Sequence, residues 1–418
     1  MDRLAEEGVR FENAFVTTSI CAASRASILT GLVERTHRFA FVTPPFADKY
    51  VDMSFPKLLR DAGYRTGYVG KFGVFPNEGA TDRLYDFLRE LTHPYWKEQA
   101  DGSLRHLTDL EGEAAMAFLE EHSRSRDGKP FCLTIGFSAP HAEDLNPLQY
   151  LAQKEVEHLY EDVEIPRPPL SNPEFYNNLH PYLRDGTMNR DRWWWRFNYE
   201  RKRREMTKRH WRLISGIDLV VGRVRRKLEE LDLASNTLIL LMGDNGYFLG
   251  ERGYAGKWLP YEESLRVPLL IFDPKGRFSR PGDRPTQFVL NIDIAPTILE
   301  MASVPIPREM QGSSLVPLAR GEQPRVWRED VWFAHLTMNP TIRKHEGVRT
   351  ERFKYIRFFE ANPMLEQLFD LQEDPLETVN LVNSPKHSET LQKLRNRTDE
   401  LRDGYGGEFS TRLWKEAQ

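Results

Sequence analysis

Thr237-Leu238-Ile239-Leu240-Leu241-Met242-Gly243-Asp244-Asn245-Gly246 sets the architecture to expect. An apolar run of strand length stops at Gly243 and turns through Asp244 and Asn245. Before it, Lys208 to Leu231 reads as a long helix. The same alternation repeats outward along the chain. Ser54 to Ala62 reads as a helix closed by Gly63, and Arg65 to Val69 as a strand. Leu110 to His122 reads as a helix ahead of the strand Phe131 to Phe137. Val267 to Phe272 is a further strand and Asp293 to Ala302 a further helix. Strands alternating with helices predict an α/β fold, a mostly parallel central sheet sandwiched by helices.

From about Val326 the texture changes. Short strand candidates follow one another at Val331 to Ala334, Lys354 to Phe359 and Glu366 to Leu371, then a charged helix near Ser388 to Leu401. This predicts a smaller α+β domain with an antiparallel sheet over 326–418, after a large domain over 1–325. A Pro- and aromatic-rich insertion spans about 146–198. It holds Pro166-Arg167-Pro168-Pro169 and Trp193-Trp194-Trp195. Insertions of that length are often functional.

At 418 residues the chain exceeds what one compact core usually holds. A net charge of -4 gives no global attraction to nucleic acid, so no nucleic-acid partner is expected. No apolar stretch is long enough to span a membrane, and no secretory signal is visible. Two cysteines exclude a disulfide scaffold. Cys132 sits in an apolar strand and reads as a buried thiol.

Cys21 is different. In Cys21-Ala22-Ala23-Ser24-Arg25-Ala26-Ser27-Ile28-Leu29-Thr30-Gly31 it precedes a short helix. Free N–H groups and the helix dipole favour an anion there, which lowers a thiol pKa. Arg25 lies one turn on and can pair with an oxyanion. On these residues alone, a structural and a reactive cysteine stand level. Asp244 and Asn245 lie beyond a strand's carboxyl end, where α/β sheets bind ligands. Their hard oxygens suit Ca²⁺ or Mg²⁺, although Asp-Asn-Gly is by itself an ordinary turn.

The Cys21 to Gly31 segment resembles the signature of the type I sulfatases, Cys-x-Pro/Ala-Ser-Arg-x-x-x-x-Thr-Gly, within the alkaline-phosphatase-like superfamily. Ala23 stands where proline is usual. The resemblance covers nearly the whole chain. Ala62 to Gly73 resembles the family's Gly-Lys-Trp-His segment, with Gly73 where histidine is frequent. Ser138-Ala139-Pro140-His141 and Asp244 to Pro268 resemble further family segments, with Arg252 where many relatives carry histidine, a change expected to shift the contacts to the leaving group.

The resemblance implies a catalytic set of Cys21, Arg25, Lys71, His141 and Lys257. It implies metal ligation by Asp244, Asn245 and the converted Cys21. It implies that a formylglycine-generating enzyme oxidises Cys21 to formylglycine, whose hydrate attacks sulfur, with Ca²⁺ or Mg²⁺ bound. It implies a sulfate ester substrate. The tryptophan run and the basic cluster Arg201-Lys202-Arg203-Arg204 with Lys208-Arg209-His210 favour a sulfated polysaccharide or oligosaccharide. A solvated helix face is the plainer reading of that cluster, and core or lid packing the plainer reading of each tryptophan.

Two alternatives share these residues. One is a phosphonate monoester hydrolase or phosphodiesterase of the same superfamily. The other is an impaired relative that binds anionic glycans. In the family a strand ending in Asp-Asp comes before the segment that here starts at Met1, and no adjacent Asp-Asp pair occurs in this sequence. The expectation is an incomplete metal shell and two strand edges left open. For the full-length protein a periplasmic or secreted location is expected.

Overall fold

The computed structural model describes residues 1–41 and 45–409. The last residues of the expected C-terminal domain, 410–418, lie outside the described residues.

The α/β class expected from the sequence is present. Strand Arg65–Gly70 is flanked in parallel by Phe87–Glu90 and Phe131–Gly136. Strand Asn13–Phe15 pairs in parallel with Phe288–Leu290. Strand Leu269–Phe272 lies between Val9–Arg10 and Ile239–Met242, antiparallel to both. The alternation did not foretell that antiparallel ladder, because crossover direction leaves no mark on periodicity. Among the described residues, Phe131–Gly136 and Ile239–Met242 each pair on one side only, and every residue in both is half-buried.

Helices cover the sheets. Phe55–Asp61 begins after Ser54 with Pro56 in its first turn, where a missing N–H is harmless. Leu107–Ser125 and the long Glu200–Glu230 pack on each other; Gly112 permits the approach, since a Cβ there would meet Val220. No helix among the described residues is long and apolar enough to cross a membrane.

The C-terminal sheet is antiparallel, in the order Asp330–His335, His345–Thr350, Phe353–Phe358, Leu365–Asp370. The strand His345–Thr350, with Glu346 and Arg349 both buried, was not anticipated as a strand. Helix Ser388–Gly404 buries Leu391 and Leu394 against Val348, Tyr355 and Leu368. Full burial of one such side chain is worth about 1.5–3 kcal/mol. The main core runs from Phe15 and Val289 through Phe333, Ile356 and Phe369. The C-terminal sheet therefore shares its core with the larger sheets.

Candidate active site

Helix Cys21–Thr30 starts at Cys21 and stops at Gly31, whose φ of 67° directs its N–H onto the Ser27 carbonyl. Alanines 22, 23 and 26 are buried and let the helix lie close to the turn Asn291–Asp293. There Asn291 Nδ2 donates to Ser24 Oγ at 2.9 Å, and Thr17 N donates to Asn291 Oδ1 at 3.0 Å. Gln311 N reaches the Gly31 carbonyl at 2.8 Å. The segment around Asn291 thus holds the start of the Cys21 helix, and the segment around Gly312 holds its end.

Arg25 crosses from this helix to both ladders. Its Nε donates to Asp244 Oδ2 at 2.7 Å, beyond strand Ile239–Met242. Its Nη1 donates to the Lys71 carbonyl, beyond strand Arg65–Gly70, and to Tyr68 Oη at 3.1 Å. Gly136 makes room, since a Cβ there would overlap the Tyr68 hydroxyl and crowd the guanidinium. Burial opposes the charge on Arg25, but Tyr68, Asp244 and Cys21 hold its pKa above the usual value.

Lys71 Nζ lies 3.7 Å from Cys21 Sγ. Lys257 Nζ donates to Asn245 Oδ1 at 3.1 Å. Five expected residues, Cys21, Arg25, Lys71, Asp244 and Asn245, converge, and Lys257 joins them. Burial pushes the Cys21 thiol up, but Lys257, Lys71 and Arg25 outweigh burial and Asp244, so its pKa falls below the usual value. Asp244 is pushed up by burial and pulled further down by Arg25, Lys257 and Lys71. Burial lowers the Lys257 pKa, partly offset by Cys21 and Asp244. Cys132 contrasts with Cys21: burial alone raises its thiol to about 12.

His141 follows strand Phe131–Gly136. Its Nδ1 donates to the Ala142 carbonyl at 2.8 Å, which leaves Nε2 as an acceptor in the neutral ring. Burial first, then Lys257 and Lys71, holds its pKa well below the usual value. It therefore stands neutral, and can donate to an anion only by taking a proton.

One neighbour escaped sequence reading. The His93 ring lies 5.7 Å from that of His141, and its Nε2 is buried with no partner among the described residues. Its signal was the His93-Pro94-Tyr95 step just past strand Phe87–Glu90, a carboxyl-end position. Gly73 has a φ of 69°, and a Cβ there would meet Arg25 and Lys71 at ordinary distances.

Two expectations need correction. Arg252 does not face the site. It is buried and donates to the carbonyls of Leu376 at 2.7 Å and Glu377 at 3.2 Å, with Glu263 at its Nε. Half of the basic cluster is also taken up within the fold rather than offered to a polyanion. Arg203 donates to the Pro166 and Ile165 carbonyls and to Glu200, Lys208 to the Glu161 carbonyl, and Arg209 to Glu205. Arg203 and Lys208 thereby fasten the insertion to the long helix. His210 is buried and stacks on Tyr247. Trp193 packs in an apolar cluster under Arg190, whereas Trp194 and Trp195 are exposed.

For a hard cation, the described residues offer Asp244 and Asn245. Each already gives an oxygen to Arg25 or Lys257, and no group of three or more His, Cys, Asp or Glu gathers among the described residues. Ca²⁺ takes six to eight oxygens. These two oxygens fall short of the number Ca²⁺ takes.

The sulfatase family model matches residues 1–304, and the model for the C-terminal part of N-sulphoglucosamine sulphohydrolase matches 250–404. The chain belongs to the sulfatase family, whose members are sulfuric ester hydrolases. The N-acetylglucosamine-6-O-sulfatase of Bacteroides thetaiotaomicron is 27% identical, aligned over 99% of this chain and 84% of its own. A protein solved in complex with its substrate D-glucosamine-2-N,6-O-disulfate has a TM-score of 0.83 at 24% identity, covering 97% of this chain and 92% of that one. The phosphonate monoester hydrolase of Agrobacterium radiobacter has a TM-score of 0.80 at 19% identity, covering 97% and 90%.

Proposed function

We propose that this chain hydrolyses a sulfate ester on an amino sugar of a sulfated glycan, with Cys21 as the formylglycine precursor. The observation that carries the reading is the convergence of Arg25, Lys71 and Lys257 on a cysteine at a helix start. Three cations there act on the single carboxylate of Asp244, an arrangement suited to a doubly ionised or spreading negative charge. The sugar class rests on the relative named for N-acetylglucosamine-6-O-sulfate and on the neighbour solved with a glucosamine disulfate.

Formylglycine, made by a separate maturation enzyme, supplies a hydrated aldehyde as nucleophile. Arg25 orients the residue at position 21 by fixing its helix against both ladders. Lys71, beside Sγ, stabilises charge on the attacking atom. Lys257 stabilises a sulfate oxygen and supplies a proton toward the leaving oxygen; its lowered pKa suits that transfer. His141 takes a proton as the anion enters and then donates through Nε2. Asp244 and Asn245 are the residues that would hold Ca²⁺ or Mg²⁺ beside position 21, and the rest of the shell is not among the described residues.

Mass spectrometry of the Cys21 peptide, with sulfate release from N-acetylglucosamine 6-O-sulfate, an aryl sulfate and a phosphonate monoester, tests the reading. Conversion of Cys21 with preference for the sugar sulfate is expected. Preference for the phosphonate ester would move the chain to the second activity of this fold. An unconverted thiol with no turnover would leave an anion-binding relative.

A further inference from the structure

Helix Met188–Arg196, from the insertion, brings Arg192 beside the loop that carries Lys257. Its guanidinium lies over the Trp258 ring, 4.7 Å from the centroid. Trp258 directly follows Lys257 and shares a buried cluster with Ile20, Cys21, Ala23 and Ile342. Arg192 is close enough to Lys257 to disfavour its charge. It therefore stands next to the cationic group at Cys21, on the side of the insertion.

The partners of Arg192 leave it underused. Asp144, three residues past His141, sits between two guanidiniums. Arg192 Nη2 reaches its Oδ2 at 2.6 Å, and Arg196 Nη2 reaches its Oδ1. Arg196 is fully buried and fully partnered, with Nε on Gln149 Oε1 at 2.8 Å and Nη1 on Tyr247 Oη at 2.9 Å. One carboxylate between two guanidiniums leaves one positive charge over. Arg192 Nε is buried and has no hydrogen-bond partner among the described residues. The same is true of the indole Nε1 of Trp258, a residue only 3% exposed. Buried donors without acceptors are rare in folded proteins because each loses its water for nothing. Two of them, on side chains that lie against each other beside an uncompensated charge, suit an anionic group that brings several oxygens.

We propose that Arg192 and Trp258 form a recognition subsite for a second sulfate group, carried by the same amino sugar whose scissile sulfate lies at Cys21. The subsite rests on the sulfated-sugar reading and deepens it. The guanidinium, already held by Asp144 and lying over the indole, meets the second sulfate with little ordering left to do. Lys257 and Trp258, neighbours in sequence, then read one sulfate each.

The test uses the full chain with Cys21→Ala, so that binding is read without turnover. Calorimetric affinities are measured for N-acetylglucosamine 6-O-sulfate and glucosamine 2-N,6-O-disulfate. With Arg192 intact, the disulfate should bind about tenfold or more tightly than the monosulfate, the scale of one charged hydrogen-bonded contact. Arg192→Ala should bring that ratio to within about twofold of unity. Arg192→Gln, which keeps the planar shape without the charge and guards against misfolding, should do the same, and Arg192→Lys should retain part of the preference. A ratio that survives both Arg192→Ala and Arg192→Gln overturns the subsite and leaves the function standing. Binding of neither sugar overturns the sulfated-sugar reading and the subsite with it.

Discussion

Around Cys21, Arg25, Lys71 and Lys257 all act on one carboxylate, Asp244. Along the helix Glu200–Glu230, Arg203, Arg204 and Arg209 each have Glu200 or Glu205, and Arg203 and Lys208 also hold carbonyls of the insertion. In sequence the second group is the denser and looks the better anion trap. In the fold Arg203, Lys208 and Arg209 are tied to carboxylates and carbonyls of the protein itself, while the sparser group holds positive charge in reserve at Cys21. What separates the two is what the fold places beside the cations: carbonyls of the insertion and glutamates of the same helix in one, a cysteine at a helix start in the other.

The largest effect should come from emptying the reserve. Lys257→Ala should lower kcat/KM for a sulfate ester by about 10²–10³, the loss seen when one stabilising donor is removed. Lys202→Ala on the helix should change it less than about twofold, since exposed charges contribute little. Equal losses from the two variants would erase the distinction. Next, Arg203→Ala should destabilise the chain by about 1–3 kcal/mol, because carbonyls at Ile165 and Pro166 lose their donor. Urea titration reads that shift, and affinity for inorganic sulfate should stay as it was.

Inorganic sulfate should itself raise the melting temperature without added metal. At a hundred times its Kd the gain is about 2.7 kcal/mol, and Lys257→Ala should shrink it at fixed sulfate. The smallest effect concerns the thiols. In the unconverted chain, ultraviolet absorbance of thiolate should show Cys21 ionising below the usual range, since neighbouring cations favour its charged form. Cys132 should stay protonated until about pH 12. Lys257→Ala should move the Cys21 transition upward; no movement would remove the electrostatic account of the helix start.

Much of this site was legible because its groups lie at element ends. Cys21 begins a helix, and Lys71, His141 and Asp244 follow strands, so local patterning and motif resemblance together located them. Arg192 and His93 were not legible, because their roles depend on where an insertion and a loop fold back. The spacing of Arg192 and Arg196, four apart on one helix face, was the available hint. Arg252 misled for the opposite reason. It stands in the right segment, yet its side chain turns to Glu377, more than a hundred residues away, and no local pattern encodes that choice. The strand His345–Thr350 was missed because its charged residues are satisfied by partners from elsewhere, such as Arg357 on Glu346 and Glu262 on Arg349.

That turn of Arg252 bears on any attempt to trim the protein. Lys354 bridges Glu262 at 2.8 Å and Glu377 at 2.7 Å, and Glu262 N donates to Glu377 at 3.1 Å. A fragment cut after residue 304 would retain Cys21, Lys71 and Lys257 in its sequence. It would also take Glu377 and the carbonyls of Leu376 and Glu377 from Arg252, leaving Glu263 as its one ion-pair partner among the described residues. The segment between Arg252 and Glu263, with Lys257 at its middle, would lose the anchor that aims it. A fragment meant to keep the Lys257 segment fastened at both Glu263 and Glu377 should therefore extend at least through Glu377.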